Sequence, residues 1–214
     1  MSSAQPKPRR LWWAGLLAAA CVVFWIFPPF RVVPLQHARL EAQAAELDAG
    51  SIAETFWHER LPGLADGAVD VEDLLAAFSE DPLMAAEQYG HRLGVSSRAS
   101  YYVKGGGKVA AVETNKVQIA LPQGGSIIIS TGPVFGNAIS DGSSLLSVSD
   151  FANSQDFNAV SSEINRRVEE LVLPGLREQV SVGSEVDFVG GVTLADTDSS
   201  AEPLKLTPFS VDLQ

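Results

Sequence analysis

Polar side chains and turn-forming residues concentrate in two neighbouring stretches of the sequence, 131–142 and 149–156. Amide and carboxylate groups there can bind the hydroxyls of a small polar ligand such as a sugar, because each hydroxyl needs a donor and an acceptor. We expect four of these side chains to contact a ligand or partner, namely Asn137, Asp141, Asn153 and Gln155. Lys104 is predicted to contribute beside the same loop, and three residues are predicted to shape the loop, namely Gly132, Pro133 and Gly136.

A purely structural role for these residues is the alternative. Asn, Asp and Ser side chains also cap helices and tie down loops through hydrogen bonds to the nearby backbone. Long loops, on the other hand, are often functional. Both interpretations stay open at the level of the sequence.

Two carboxylates in the same region support an enzymatic alternative. Asp141 and Asp150 could serve glycoside hydrolysis of carbohydrate or cell-wall material if they lay about 5 to 10 Å apart across a cleft. Nothing in the sequence positions a base against a nucleophile, and there is no Gly-x-Ser-x-Gly motif. A third alternative is a structural scaffold of the cell envelope, which would have no polar pocket.

Other chemical motifs fail on inspection. The glycine-rich stretch 105–108 does not match a phosphate-binding loop, because Tyr102 stands where the first glycine is needed and Val109 follows the lysine. Three histidines without an HExxH-type pairing and a single cysteine leave little for a metal site. We therefore predict no catalytic residue, no bound metal and no cofactor.

The charge of the chain argues against one class of partner. Its 214 residues include 15 Lys+Arg and 26 Asp+Glu, which gives a formal net charge of −11. A nucleic-acid-binding surface needs clustered cations to neutralise phosphates. We therefore predict no nucleic-acid partner.

The first 30 residues are predicted to attach the protein to a membrane. The apolar run 11–27 would span about 26 Å as a helix, close to the bilayer core of about 30 Å. The basic residues Lys7, Arg9 and Arg10 precede it, and no acid lies in residues 1–30. By the positive-inside rule we expect residues 1–10 in the cytoplasm and the main domain in the periplasm, at a bacterial inner membrane.

Cys21 lies inside this run and allows two interpretations. Residues 16–21 resemble a bacterial lipobox, in which the cysteine is lipidated after cleavage. Ala18, however, occupies the position where leucine is usual, and residues 22–27 remain apolar instead of forming a polar tether. We favour an uncleaved signal anchor, with lipidation of Cys21 as the alternative.

Helices are predicted for residues 37–94. Apolar residues recur at helical spacing through 37–61 and 71–79. Asp81-Pro82 opens a further helix that ends at Gly90, with proline at a first helical position and glycine just past the end. The predicted organisation is an anchor (1–30), a helical region packed on the remainder (31–98) and a strand-rich part (99–214).

The strand-rich part has the predicted order strand, strand, strand, helix, strand, strand. Its first strand is interrupted by glycines 105–107, and its helix carries apolar residues three or four apart from Phe157 to Leu171, with Asp156 as the expected N-cap. A change of apolar parity at Pro208 indicates a β-bulge in the last strand. This order predicts an α+β fold with an OB-like five-stranded β-barrel. An ordinary α+β sandwich is the alternative.

Short motifs in a fixed order carry a resemblance to a known family. They are Phe56-Trp57 with Leu61-Pro62, Val103-Lys104-Gly105, Gly132-Pro133-Val134 with Gly136, Ala138-Ile139 with Asp141, Asp150-Phe151 with Asn153 and Gln155, and Leu206-Thr207-Pro208. Through them residues 32–213 resemble the bacterial family called domain of unknown function 2291, whose members are described as predicted periplasmic lipoproteins.

The resemblance implies an OB-like barrel with a helical addition and an association with ABC-type sugar importers, notably ribose-type systems. The family pattern Gly-Thr-Ala-x-Arg-Asp is replaced here by residues 136–141, which have Ser140 in place of the arginine. The arginine guanidinium has five N–H donors in a fixed planar arrangement, and serine does not provide them. No anion-binding role therefore carries over to this position. We expect a non-enzymatic, membrane-tethered periplasmic accessory of a sugar importer, which either holds a small polar ligand or contacts an importer component.

Overall fold

Helices make up most of the first part of the described chain. The computed structural model describes residues 48–92, 96–198 and 203–214. Its first helical segments are α1 (Ala49–Thr55), a π-helical turn (Phe56–Arg60), α2 (Pro62–Ala65), α3 (Val71–Glu80) and α4 (Pro82–Tyr89). The Asp81 carboxylate caps α4 by accepting hydrogen bonds from the Leu83 and Met84 nitrogens, at 2.9 and 3.1 Å. The predicted opening at Pro82 and the end before Gly90 are confirmed.

The strands pair in one mixed sheet. They are β1 (Val69–Asp70), β2 (His91–Arg92), β3 (Arg98–Glu113), β4 (Lys116–Ala120), β5 (Ser126–Ser130), β6 (Glu185–Ala195) and β7 (Leu204–Leu213). Antiparallel ladders join β3 to β4, β4 to β5, β7 to β6 and β6 back to β3, while β5 and β7 pair in parallel. The short strands β1 and β2 pair with β3. Five strands therefore pair in a closed circuit, and with the helices they make the fold α+β, as predicted.

Helical segments fill the long connection between β5 and β6. They are α5 (Ala138–Gly142), a 3-10 turn (Val148–Asp150), α6 (Ser154–Arg167), a π-helical turn (Val168–Val172) and α7 (Leu173–Gln179). The predicted apolar stripe is buried at four positions, namely Phe157, Val160, Ile164 and Val168. Leu171 is instead 57% exposed, because it lies in the π-helical turn, whose different pitch rotates it away from the stripe.

The alternating pattern of the central strands is confirmed by their burial. Val117 and Ile119 of β4 and Ile127 and Ile129 of β5 are buried at 0 or 1% exposure. The residues between them are more exposed. Alternate side chains thus enter the core, as the period of two in a strand requires.

Strand β3 runs unbroken through Gly105–Gly107, where the sequence predicted an interruption. A Cβ on Gly105 would lie 2.7 Å from Val71 Cγ1, and one on Gly107 would collide with the Ala120 carbonyl oxygen. The glycines therefore allow α3 and β4 to approach β3 closely without breaking it. The irregularity in β3 comes later, between Val109 and Ala111.

The β-bulge predicted at Pro208 is confirmed. The register between β6 and β7 shifts between Val189 and Gly190, which leaves Phe209 without a partner across the ladder. The Phe209 ring packs edge-to-face against Trp57, with ring centroids 5.0 Å apart and an interplanar angle of 64°. The bulge thus allows β7 to pack against the π-helical turn after α1.

The predicted membrane anchor (11–27), Cys21 and the predicted helical residues 37–47 lie outside the described residues. Within the residues that are described, no helix combines the length and the apolar character needed to cross a bilayer. The transmembrane and signal-anchor interpretation of residues 11–27 therefore stays a prediction.

Candidate functional site

A groove with a polar lining opens beside α5, where β2, β3, β6 and β7 follow one another in the sheet. Its cavity volume is about 450 Å³, which is within the range of small-molecule sites. Hydroxyl, amide, charged and aromatic side chains line it: His91, Arg98, Ser100, Phe135, Asn137, Asp141, Thr193, Lys205 and Thr207. We call it the polar groove.

Strand pairing sets the spacing of polar side chains along the groove. His91 of β2 pairs with Ser100 of β3, and Ser100 pairs with Thr193 of β6. The Ser100 and Thr193 hydroxyl oxygens are 2.9 Å apart and share a hydrogen bond. Val192 of β6 pairs with Leu206 of β7, and Thr193 and Lys205 are the next residues on the two strands. A polar row therefore crosses four adjacent strands at a spacing of about 4.8 Å.

Helix α5 lies directly on the sheet because β6 has a glycine beneath it. A Cβ on Gly191 would collide with the Ala138 backbone and would lie 2.7 Å from the Ile139 nitrogen. The Ile139 side chain is buried at 1% exposure and fixes the helix to the core. This close contact holds Asn137 and Asp141 at the edge of the polar groove.

Asn137 and Asp141 both have side-chain groups suited to a ligand. Asn137 precedes α5, yet its side chain makes no capping hydrogen bond. The Oδ1 atom of Asp141 is buried and has no hydrogen-bond partner among the described residues. Burial raises the pKa of the Asp141 carboxyl, and the charge of His91 acts in the opposite direction. A buried oxygen without a donor is uncommon in native proteins, which distinguishes Asp141 from the other polar residues of the groove.

The loop that leads into the groove is fixed by the helical segment behind it. Glu169 Oε1 accepts a hydrogen bond from the Val134 nitrogen at 2.7 Å. The Asn165 side-chain amide donates to the Gly136 carbonyl oxygen, also at 2.7 Å. Phe135 lies between these two anchors and is 83% exposed. The backbone on both sides of this exposed residue is thus held in place.

The three residues predicted to shape the loop all lie on this segment. Gly136 has a φ angle of +87°, a left-handed conformation that favours glycine. Gly132 and Pro133 follow Thr131, whose carbonyl oxygen accepts a hydrogen bond from Arg177 Nε at 2.8 Å. Among the three, Gly136 also lines the polar groove.

Asn153, Gln155 and Lys104 lie outside the lining of the polar groove. The Oδ1 atom of Asn153 accepts hydrogen bonds from the Gln155 and Asp156 nitrogens, at 2.9 and 3.0 Å. Asn153, rather than Asp156, is therefore the N-cap of α6. The Gln155 residue is exposed, and Lys104 Nζ donates to the Asp66 carbonyl oxygen at 2.6 Å. The structure thus brings Asn137 and Asp141 into one groove and gives Asn153 and Lys104 structural hydrogen bonds.

The carboxylates of the enzymatic alternative do not share this groove. Asp150 Oδ2 accepts a hydrogen bond from the Ser147 nitrogen at 2.9 Å as part of a capping box. Asp150 is exposed and does not line the polar groove, whereas Asp141 does. Within the described ranges no group of three or more His, Cys, Asp or Glu side chains could hold a metal ion.

Several groove residues were not predicted, chiefly His91, Arg98, Ser100, Thr193 and Lys205. Arg98 and Ser100 are two residues apart on β3, so their side chains lie on the same face of the sheet. Thr193 of β6, which pairs with Ser100, and Lys205 of β7 lie on that face as well. Strand parity could have grouped Arg98 with Ser100. The two-residue pairing of β2 with β3 has no signal in a single sequence.

Comparison with known proteins gives a family and a fold. The family model described as "Predicted periplasmic lipoprotein (DUF2291)" matches residues 20–212. The structure is similar to the crystal structure of an OB-fold protein from Thermotoga maritima, with 24% sequence identity and a TM-score of 0.69, covering 78% of this chain and 99% of that one. No curated protein matches the sequence.

Proposed function

The chain belongs to the DUF2291 family of predicted periplasmic lipoproteins, and from this premise we propose that its main domain holds a small polar ligand, such as a sugar, in the polar groove. The observation that carries the proposal is that one groove brings together polar side chains from α5 and the strands. Among them are Asn137, whose side chain makes no capping hydrogen bond, and Asp141, whose side chain is half-buried. Amide and carboxyl groups of this kind can hydrogen-bond the hydroxyls of a sugar.

The ligand-holding domain would act as an accessory of an ABC-type sugar importer. The family resemblance implies that association. A membrane tether confines the domain near the importer and raises its effective concentration, which compensates for a weak contact. The proposed partners are therefore the sugar and one importer component.

We interpret the closed circuit of β3, β4, β5, β7 and β6 as an OB-like five-stranded barrel. The parallel pairing of β5 with β7 and the return ladder from β6 to β3 support this interpretation. The similarity to an OB-fold protein agrees with it. In such a barrel the connection that contains α5 and α6 covers one open end.

The proposed location is the bacterial inner membrane, with residues 1–10 in the cytoplasm and the main domain in the periplasm. That orientation belongs to the uncleaved anchor. The family description, predicted periplasmic lipoprotein, and a match that includes Cys21 support the alternative, in which residues 1–20 are cleaved off and Cys21 is lipidated. Intact mass measurement of the protein from bacterial membranes distinguishes the two. A lipidated product that begins at Cys21, and disappears in Cys21→Ser, would establish the lipoprotein form.

The ligand proposal is tested by a thermal-shift screen of the full-length protein in detergent against pentoses and hexoses. A ligand that binds only the folded state raises stability by RT ln(1 + [L]/Kd). We expect a sugar-specific shift that is lost in Asn137→Ala and in Asp141→Ala and retained in Gln155→Ala, a control outside the groove. No shift with any ligand, or equal shifts in all variants, would refute the proposal.

A second candidate function is contact with a protein partner. A cavity of about 510 Å³ is lined by apolar residues such as Trp57, Leu171 and Phe209 and by polar ones such as Gln179 and Asp212. The Leu171 side chain is 57% exposed at this cavity. Mixed apolar and polar lining of this kind suits a protein contact. Co-purification with the importer's binding protein that is lost in Leu171→Asp would favour this candidate.

A further inference from the structure

The charge of the polar groove is opposite to that of the chain. The chain has a formal net charge of −11. The groove lining contains two permanent cations, Arg98 and Lys205, a titratable His91 and a single carboxylate, Asp141. The groove of this acidic protein is thus a place where cations outnumber acids.

The two cations of the groove come from β3 and β7. Arg98 and Ser100 are two residues apart on β3 and therefore share a face of the strand. Lys205 lies on β7, beside Thr193 of β6. Arg98, Lys205 and the Ser100–Thr193 pair all line the groove, so an anionic group bound there would face both cations.

Several arginines of the described chain bind carboxylates. Arg92 forms an ion pair with Asp196 at 2.7 Å, and Arg166 binds Glu163 and Glu170 at 2.6 Å each. Among the described residues, Arg98 and Lys205 have no carboxylate within ion-pair distance. Within the described residues no acid therefore neutralises these two charges, and both can attract an anion that enters the groove.

Phe135 gives the groove an apolar surface at its edge. Its side chain is 83% exposed and lines the groove, and hydrogen bonds fix the residues before and after it. An exposed aromatic ring on a backbone segment that is held in place suits the apolar C–H face of a sugar ring. The polar atoms of Asn137 and Asp141 lie in the same groove and suit its hydroxyls.

We propose that the ligand of the polar groove is an anionic sugar. Its carboxylate or phosphate is bound by Arg98 and Lys205. Its hydroxyls are bound by Asn137 and Asp141, and its ring packs on Phe135. This inference rests on the proposed function and specifies its ligand class. Arg98 can bind either anion through two parallel N–H donors, and Lys205 adds a point charge. The shared chemistry is a singly or doubly charged oxyanion attached to a polyhydroxylated ring.

Isothermal titration calorimetry on the full-length protein in a non-ionic detergent tests the inference with matched pairs of ligands. The pairs are glucose with glucuronate, galactose with galacturonate, and ribose with ribose 5-phosphate. We expect at least one acid to bind about tenfold or more tightly than its neutral parent. A uronate preference identifies a carboxylate ligand, and a preference for the phosphate identifies a phosphorylated one.

Charge-neutralising variants identify the residues that carry the preference. Arg98→Gln and Lys205→Gln should each reduce the ratio of the affinity for the sugar acid to the affinity for the neutral sugar several-fold. Lys108→Gln is the control, because it removes an exposed lysine outside the polar groove, and it should leave this ratio unchanged. Phe135→Ala should weaken binding of the sugar acid and not of inorganic phosphate, which has no ring. Unfolding midpoints of the variants by circular dichroism serve as the folding control.

The outcomes separate this inference from the proposed function. If neutral sugars bind as tightly as their acids, the anionic ligand class is wrong and the ligand-holding function stands. If the acids bind preferentially but equally in Arg98→Gln, Lys205→Gln and the control, the assigned residues are wrong. Absence of binding by every neutral and acidic sugar would overturn both the inference and the proposed function.

Discussion

The side-chain amide of Asn165 donates a hydrogen bond to the carbonyl oxygen of Gly136 at 2.7 Å. Asn165 belongs to the buried side of α6 and is 7% exposed, whereas Gly136 lines the polar groove. This bond connects the core helix to the loop that carries Phe135 and Asn137. The shape of the groove therefore depends on a side chain that does not line it.

Replacing Asn165 by alanine should destabilise the fold and loosen the groove. The substitution removes the hydrogen bond to the Gly136 carbonyl oxygen, which lies on an exposed residue where water can replace the donor, so we expect a loss of about 0.5–1.5 kcal/mol in the free energy of unfolding. Urea denaturation followed by circular dichroism measures the change. Asn158→Ala, at an exposed position of the same helix, is the matched control and should change the free energy little. Equal effects of the two substitutions would contradict the structural role of Asn165.

Asp141→Asn should stabilise the protein at neutral pH and lose that advantage in acid. Burial raises the pKa of Asp141 in the folded state, against an opposing effect of His91. Below the ordinary pKa of an aspartate the carboxyl is protonated in both the folded and the unfolded state, so it carries no penalty. As pH rises through the raised pKa, the folded state is penalised for ionising a buried group. Denaturation at several pH values measures the difference in the free energy of unfolding between Asp141→Asn and the wild type. This difference should grow as pH rises above the ordinary aspartate pKa. A difference that does not change with pH would contradict the effect of burial on Asp141.

Asp196→Asn should show the opposite pH dependence. The Arg92 guanidinium hydrogen-bonds both carboxylate oxygens of Asp196, at 2.7 and 3.0 Å, and lowers the pKa of Asp196 in the folded state. The stabilisation is therefore present above the ordinary aspartate pKa and is lost as pH falls through the lowered one. The wild type should be more stable than Asp196→Asn at neutral pH, and the difference should shrink in acid. A difference that grows on acidification would contradict this interpretation of the pair.

Much of the fold was predictable from two local patterns, namely the alternation of apolar residues along strands and the residue types that begin and end helices. The burial of Val117 and Ile119, the bulge at Pro208 and the start of α4 at Pro82 depend on local chemistry that a single sequence displays. The unbroken path of β3 through Gly105–Gly107 depends instead on neighbours from α3 and β4. Those neighbours are distant in sequence, so the glycines suggested a break where they in fact allow close packing.

The candidate site was less predictable, because its residues come from separate strands. Asn137 and Asp141 were found through the polar character of their loop. His91 reaches the groove only because a two-residue strand after Gly90 pairs with β3, and Lys205 depends on the register of β6 and β7. Conversely, Asn153 has the residue type of a ligand contact and caps α6 instead, which the sequence left open.

Gly191→Ala should displace α5 and disturb both the fold and the groove. A Cβ at this position would collide with the Ala138 backbone, and overpacking of this kind costs about 1–3 kcal/mol. Gly175→Ala in α7 is a matched control, because a Cβ added there would meet no atom within 4 Å, and alanine is favoured over glycine in a helix by about 0.5–1 kcal/mol. Chemical denaturation should therefore give changes of opposite sign. A neutral Gly191→Ala would mean that α5 does not rest on β6.

Gly136→Ala should impair ligand binding more than it impairs folding. No atom lies within 4 Å of a Cβ at this position, but the φ angle of +87° is left-handed, and an alanine there costs about 1–2 kcal/mol. The loop can relieve this strain by a change in the backbone angles of residues 135–137. That change would move the Phe135 and Asn137 side chains away from their positions relative to Asp141. Gly132→Ala is the control on the same loop, because it has neither a positive φ nor a close neighbour. Calorimetric titration of both variants with whichever sugar binds the wild type should show an affinity loss confined to Gly136→Ala, with both proteins still folded. An equal loss in the two variants would mean that general loop mobility, and not the left-handed turn at Gly136, determines the groove.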